Sequence, residues 1–131
     1  MGRIGWVLAA AMLFAATPAA PAEAQLPAEL WPRAVACASI LFFVVDAAQD
    51  DVETQSDKDA LGLIDASLTS WIVQMASLPE HAAGRTEQDV GLYLGSSLGS
   101  GPEALDSDTR MANLEVCVNE AVQREAAGAG Q

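Results

Sequence analysis

An uncharged run of twelve residues, 34–45, constrains the fold of this chain more than any other feature. A helix that is apolar on every face must lie buried at the centre of a protein, and twelve residues are too few to span a membrane, which takes roughly 20. The β-branched and aromatic residues at 40–45 leave a buried strand as the alternative. The alanine-rich approach and the tail Asp46–Gln49 favour helix. We therefore predict a buried central helix over Leu30–Gln49, with Pro32 in its first turn, where proline is tolerated.

A second, amphipathic helix follows a polar linker at 50–56. Ser56 with Asp59 three residues later has the spacing of a capping box. Pro79 ends the segment. Apolar residues recur at spacings of three and four along it: Leu61, Ile64, Leu68, Trp71, Ile72, Met75 and Leu78.

A third, shorter helix is predicted over about Glu87–Leu98. Thr86 and Asp89 have capping-box spacing, and the Gly/Pro segment 99–102 closes the helix. Its apolar side carries Val90, Tyr93, Leu94 and Leu98.

The last helix is predicted to begin near Asp106 or Ser107. Residues 126–131 are small and glycine-rich, and we expect them to form a flexible tail. One face of the helix is apolar and carries Met111, Leu114, Cys117, Val118, Ala121 and Val122.

Four helices joined by short loops predict an all-α fold, a small antiparallel bundle. Cys37 and Cys117 fall on apolar faces of the first and last helices, at similar heights if those helices run antiparallel. We predict a disulfide between them. The two cysteines are 80 residues apart, and closing a loop of that length stabilises a fold by up to about 4.5 kcal/mol.

The N-terminal residues have the three parts of a secretory signal peptide. Arg3 gives a positive head, residues 4–16 are apolar or small, and Ala22-Glu23-Ala24 is an A-x-A cleavage site. The predicted cut after Ala24 divides the chain into a signal peptide, 1–24, and a single helical domain, 25–131. The alternatives are a cut after Ala20 and an uncleaved membrane anchor. After cleavage we expect no stable membrane span and a periplasmic or secreted location in a bacterium, where a cysteine pair normally oxidises.

The strongly acidic composition restricts the partners. The chain has 18 acidic and 6 basic residues, a net charge of −12, which removal of Arg3 and Glu23 leaves unchanged. Such a surface repels phosphate backbones, so we expect no nucleic-acid binding. Basic partners or cations stay possible, and the charge also keeps a secreted protein soluble.

Three glycines, Gly91, Gly95 and Gly99, recur every four residues along the third helix. They permit close approach of another backbone. One interpretation is an interaction face for self-association or membrane contact. The other is tight packing against a bulky residue of the same chain, such as Phe42 or Trp71.

Residues 95–99 match G-x-S-x-G, the nucleophile-elbow pattern of serine hydrolases, with Ser97 as the nucleophile. That motif requires a strand-to-helix turn and a histidine downstream. Here the segment is predicted to be helical, and the single histidine, His81, lies upstream. Catalysis by Ser97 is therefore the least favoured hypothesis.

Neither a metal site nor a cofactor site is predicted. The acidic clusters that begin at Asp57 and Asp106 lack the ligands of a calcium-binding loop. A transition metal would need more free histidine or cysteine than the chain has.

In outline the chain resembles the small periplasmic acid-stress chaperones of the HdeA type. It shares a signal peptide, an early helical Cys37 with Leu41 and Asp46 after it, and a later helical Cys117. It departs from that family in the longer spacing between the cysteines and in lacking a basic tail. No functional residue follows from this resemblance.

These features lead to three hypotheses for the function of the chain. The first is a non-enzymatic protein-binding module in the periplasm. The second is a small-molecule or lipid carrier whose apolar cavity is lined by Phe42, Phe43, Trp71 and Tyr93. The third is a hydrolase that uses Ser97.

Overall fold

The computed structural model describes residues 23–99 and 104–129. Within these residues the chain forms helices and no strand, so the predicted all-α class is confirmed. Nearly all of the predicted signal peptide lies outside the described residues. The helices are α1 Leu30–Ala48, a short 3-10 helix Gln49–Asp51, α2 Gln55–Ala76, α3 Pro79–Ala82, α4 Thr86–Ser97 and α5 Ser107–Ala129.

Helix α1 is the central helix, as its composition predicts, and it packs against α2, α4 and α5. The prediction that it is buried on every face is wrong at Phe42 and Phe43, which are 57% and 45% exposed. By length and composition Leu30–Asp51 could also cross a membrane, but more than half of its most apolar window is buried inside the fold. The core helix of a bundle has this property.

Helix α2 begins two residues earlier than the sequence predicts, because the capping box is formed by Thr54 and Asp57 and not by Ser56 and Asp59. The Asp57 backbone N–H donates to Thr54 Oγ1 at 3.1 Å, and the Thr54 N–H donates to Asp57 Oδ2 at 3.2 Å. The predicted apolar face is otherwise present: Ile64, Leu68, Trp71 and Met75 are buried, whereas Ile72 is exposed.

Helix α4 lies within one residue of its predicted bounds, but the capping box expected at its start is absent. Arg85 occupies the N-cap position and makes no side-chain capping bond. Asp89, the expected partner of Thr86, instead accepts a hydrogen bond from Trp31. The turn before α4 contains Gly84 with a φ of +79°, a left-handed conformation that favours glycine.

Helix α5 begins after Asp106, whose Oδ1 accepts the Thr109 N–H at 2.7 Å. This backbone hydrogen bond lowers the pKa of Asp106. The helix continues to Ala129, so most of the predicted tail, 126–131, is helical where the structure describes it.

The Cys37–Cys117 disulfide joins α1 to α5, with the two Cα atoms 5.4 Å apart and both residues fully buried. One turn towards the start of α1, Arg33 forms an ion pair with Glu120. Towards the end of α1, Val44 borders the same hollow as Arg110. As the residue number increases along α1, the residue number of its neighbour on α5 decreases, so the two helices run antiparallel.

Replacing both cysteines by alanine, or reducing the disulfide, should lower the free energy of unfolding by about 2–5 kcal/mol, because the unfolded chain regains the freedom that the 80-residue separation restricts. Thermal melts followed by circular dichroism, with and without reductant, measure this. The Cys37→Ala/Cys117→Ala variant is the control, since reductant should not change its melting temperature. Equal melting curves for oxidised and reduced wild-type protein would contradict the expectation.

Thr54→Ala should cost about 1 kcal/mol of stability through loss of the α2 cap. The matched control is Ser56→Ala, which removes an exposed hydroxyl two residues further on and should change stability much less. Urea unfolding of both variants provides the comparison. A larger effect at Ser56 than at Thr54 would place the cap where the sequence pattern alone predicts it.

Candidate functional site

An open groove of about 620 Å³ lies between the start of α1 and helix α4. Trp31 and Val35, both buried, lie beneath it, and the exposed side chains of Leu30 and Leu92 stand beside it. The remaining lining residues come from α1 and the segment before it, from α3 and the residue before it, and from α4 and the residue before it: Pro27, Glu29, Pro32, Leu78, Glu80, Arg85, Asp89 and Tyr93.

A buried tryptophan with a fixed orientation forms part of this groove. The Trp31 indole Nε1–H donates to Asp89 Oδ2 at 2.7 Å. The same Oδ2 lies 3.1 Å from Arg85 Nη2, one helical turn away. Asp89 therefore anchors α4 to the first turn of α1 and keeps the indole from rotating. The hydrogen bond thus joins the two helices that form the groove, and the ion pair is local to the start of α4.

The groove carries more negative charge than positive charge. Arg85 is paired with Asp89, whereas Glu29 and Glu80 have no ion-pair partner among the residues that the structure describes. An apolar surface beside two carboxylates suits a ligand that combines apolar groups with positive charge. The net charge of −12 of the whole chain also favours a positively charged ligand.

Tyr93 lies at the groove with its hydroxyl turned inward. Burial raises the pKa of Tyr93, and the nearby side chains of Ser97 and Asn113 oppose this shift. The hydroxyl is nevertheless buried without a hydrogen bond of normal geometry. A buried polar group without a partner destabilises a fold, so Tyr93 is a place where stability is lost.

An extended segment before α1 borders the other side of this region. The Gln25 N–H donates to Asn113 Oδ1 at 2.7 Å, and the Arg33 guanidinium donates to the Pro27 carbonyl at 2.8 Å. Leu26 packs against the core. The segment is therefore fixed to α5 and α1 at separate points.

The four aromatic residues of the carrier hypothesis are not brought together around one cavity. Phe42 and Phe43 are exposed on α1, and Phe43 borders a different hollow, between α1 and the start of α5. Trp71 is buried in the core, where its indole N–H donates to the Cys117 carbonyl at 2.9 Å and the Arg124 guanidinium lies 4.3 Å from its ring centroid. Of the four, only Tyr93 lines the groove.

The glycine face of α4 is open to solvent. A Cβ atom built on Gly91 or Gly95 would meet nothing within 4 Å, so these two residues do not pack against Phe42, Trp71 or another helix of the chain. Gly99 differs, because a Cβ there would lie 2.6 Å from the Gly95 carbonyl oxygen. Gly99 therefore needs to be glycine because of the backbone at the end of its own helix. The interaction-face hypothesis stays a prediction.

Ser97 does not lie in a nucleophile elbow. It is the last residue of α4, and the described residues contain no strand that could precede it. His81 Nδ1 lies 2.7 Å from Thr86 Oγ1, at the opposite end of α4. The structure therefore places no histidine beside Ser97.

The groove could not be predicted from the sequence, because its parts come from distant positions. Trp31 and Asp89 are 58 residues apart, and Asn113 meets a segment 88 residues earlier. Leu92 belongs to neither an apolar face nor a motif. One signal could have been used: Leu92 is a large apolar residue outside the predicted apolar side of its helix, and such a residue is a candidate surface contact.

Comparison with known proteins gives no family for this chain. No protein-family model matches it, and neither a curated protein nor a solved structure matches it. Among the described residues no group of histidine, cysteine, aspartate or glutamate side chains is arranged to hold a metal ion. The outline resemblance to periplasmic chaperones gains no support from these comparisons.

Tyr93→Phe should raise the free energy of unfolding by about 1 kcal/mol, because it removes a buried hydroxyl that has no hydrogen bond. It should also change the response to alkali. Because the pKa of Tyr93 is raised above its ordinary value of 10.0 in the folded state, the wild-type protein loses stability as the pH rises beyond that value. Urea unfolding at neutral pH and at high pH tests both effects. The idea fails if the variant is less stable than wild type at neutral pH.

Proposed function

We propose that this chain is an exported, non-enzymatic protein that binds a segment of a partner protein in the groove between α1 and α4. The observation that carries the proposal is the exposure of Leu92 and Leu30, 64% and 46%, beside the buried Trp31. Apolar side chains exposed around a concave surface are typical of binding sites.

The partner segment should combine apolar side chains with lysine or arginine. Glu29 and Glu80 at the groove lack an ion-pair partner within the described residues, and the whole chain has a net charge of −12. Opposite charge on the partner accelerates encounter and orients binding, whereas an acidic segment would be repelled. A basic amphipathic segment therefore fits this surface better than an acidic or a purely apolar one.

Two observations support export. The N-terminal residues have a positive head, an apolar stretch and an A-x-A site, as secretory signal peptides do. The Cys37–Cys117 disulfide is of a kind that persists in oxidising compartments and is rare in the cytosol. Both agree with a periplasmic or secreted protein.

The shape of the groove favours a protein segment over an enclosed small molecule. Small-molecule sites usually surround most of the ligand surface, whereas this groove is open to solvent along its length. An extended or helical segment can cover such a surface, with its apolar residues against Leu30 and Leu92 and its positive charges beside Glu29 and Glu80.

Two synthetic peptides test the proposal: one alternates leucine with lysine, and the other has glutamate at each lysine position. Fluorescence anisotropy of the labelled peptides measures binding to the purified protein. The lysine peptide should bind, more weakly as salt is added, and the glutamate peptide should not. Leu92→Asp should weaken binding of the lysine peptide at least about tenfold, because a leucine contact stabilises by about 1.5–3 kcal/mol.

The matched control is Val73→Asp. Val73 is 65% exposed, almost the same as Leu92, but it lies on α2 away from the groove. The control has the same added charge and should bind as wild type does. Failure of the lysine peptide to bind, or equal weakening by both substitutions, would refute binding in the groove.

A further inference from the structure

The main chain of Gln25 is recognised by a single buried side chain. Asn113 is fully buried in α5. Its Oδ1 accepts the Gln25 N–H at 2.7 Å, and its Nδ2 lies 3.5 Å from the Gln25 carbonyl oxygen as a donor. One carboxamide therefore meets both polar groups of one residue. The Gln25 side chain itself stays exposed.

Asn113 is held in place by its surroundings. It lies one helical turn before Cys117, whose disulfide fixes α5 against α1. The segment that it binds is fixed further along by the Arg33–Pro27 hydrogen bond, and Arg33 is itself held by Glu120. The position of the Gln25 nitrogen is thus determined from both sides.

The residue bound in this way is the first residue of the mature chain if cleavage follows Ala24. Cleavage at that bond converts an amide N–H into an α-ammonium group. The ammonium has three hydrogens around the N–Cα axis, so one can point at Asn113 Oδ1 without displacement of the nitrogen. A hydrogen bond from a charged donor is stronger than the amide bond it replaces.

We propose that Asn113 is a receptor for the mature N-terminus, and that this contact protects Gln25 from cyclisation to pyroglutamate. The inference rests on the export and cleavage part of the proposed function and is independent of the groove. N-terminal recognition by a preformed polar pocket is a known mode of peptide binding.

The reaction that is suppressed needs no external reagent. The unprotonated α-amino nitrogen of Gln25 attacks its own side-chain Cδ, an N–Cδ bond forms and the Cδ–Nε2 bond breaks. A proton passes from the attacking nitrogen to Nε2, which leaves as ammonia. Attack needs the nitrogen lone pair, whereas the hydrogen bond to Asn113 Oδ1 favours the protonated amine. The contact and the cyclisation therefore compete.

The test uses the full chain expressed with its own signal in an export-competent bacterium. The intact mass of the purified protein gives the cleavage position, and incubation at neutral pH shows whether one molecule of ammonia is lost. Folded wild-type protein should retain its original mass. Wild-type protein unfolded in urea should lose ammonia at least about tenfold faster than the folded protein does. Asn113→Ala should cyclise at close to the unfolded rate while it is folded, as judged by near-ultraviolet circular dichroism.

Two further variants keep the test decisive. Asn119→Ala removes an exposed asparagine from the same helix and should behave as wild type. Asn113→Asp keeps an acceptor of the same shape, so it should stay protected even if Asn113→Ala does not fold. Equal cyclisation rates in folded wild type and Asn113→Ala, or an unprotected Asn113→Asp, would overturn the proposal. A mature chain that begins at a residue other than Gln25 would also overturn the proposal. That result would not bear on the proposal of binding in the groove.

Discussion

The disulfide between Cys37 and Cys117 is the constraint on which the rest of the structure depends. It is buried in the middle of the central helix and sets the register of α5 against α1. The carbonyl of Cys117 then accepts the indole N–H of Trp71, which brings α2 into the same arrangement. Three long helices are thus tied together around one residue pair. Neither Arg33–Glu120 nor Asn113–Gln25 could form if α5 were shifted by one turn.

The sequence predicted the helices well because the apolar periodicity is local. The bounds of α1 and α4 lie within a residue of the prediction, and the cysteine pair follows from matching two apolar faces. The capping boxes were harder, since Thr54–Asp57 and Ser56–Asp59 have the same spacing. What distinguishes them is the burial of Asp57 in the fold, which no short pattern contains.

The candidate site could not be predicted, for a related physical reason. Asp89 had the spacing of a cap, but a hydrogen bond to an indole 58 residues away occupies it instead. Phe42 and Phe43 are apolar residues typical of a core but are 57% and 45% exposed. In both cases tertiary geometry overrides a local preference. A composition that is apolar on every face of a helix therefore predicts a central position better than it predicts the burial of each side chain.

The position of the disulfide also has a consequence for when the protein can fold. If the chain is exported, it crosses the membrane with reduced thiols, and its main cross-link forms only on the far side. The stabilisation of about 4.5 kcal/mol that a loop of this length can supply is comparable to the whole stability of a small domain. With its two thiols reduced the chain therefore folds weakly. Oxidation of Cys37 and Cys117 holds the same sequence folded, so the redox state of the surroundings determines when the domain becomes stable.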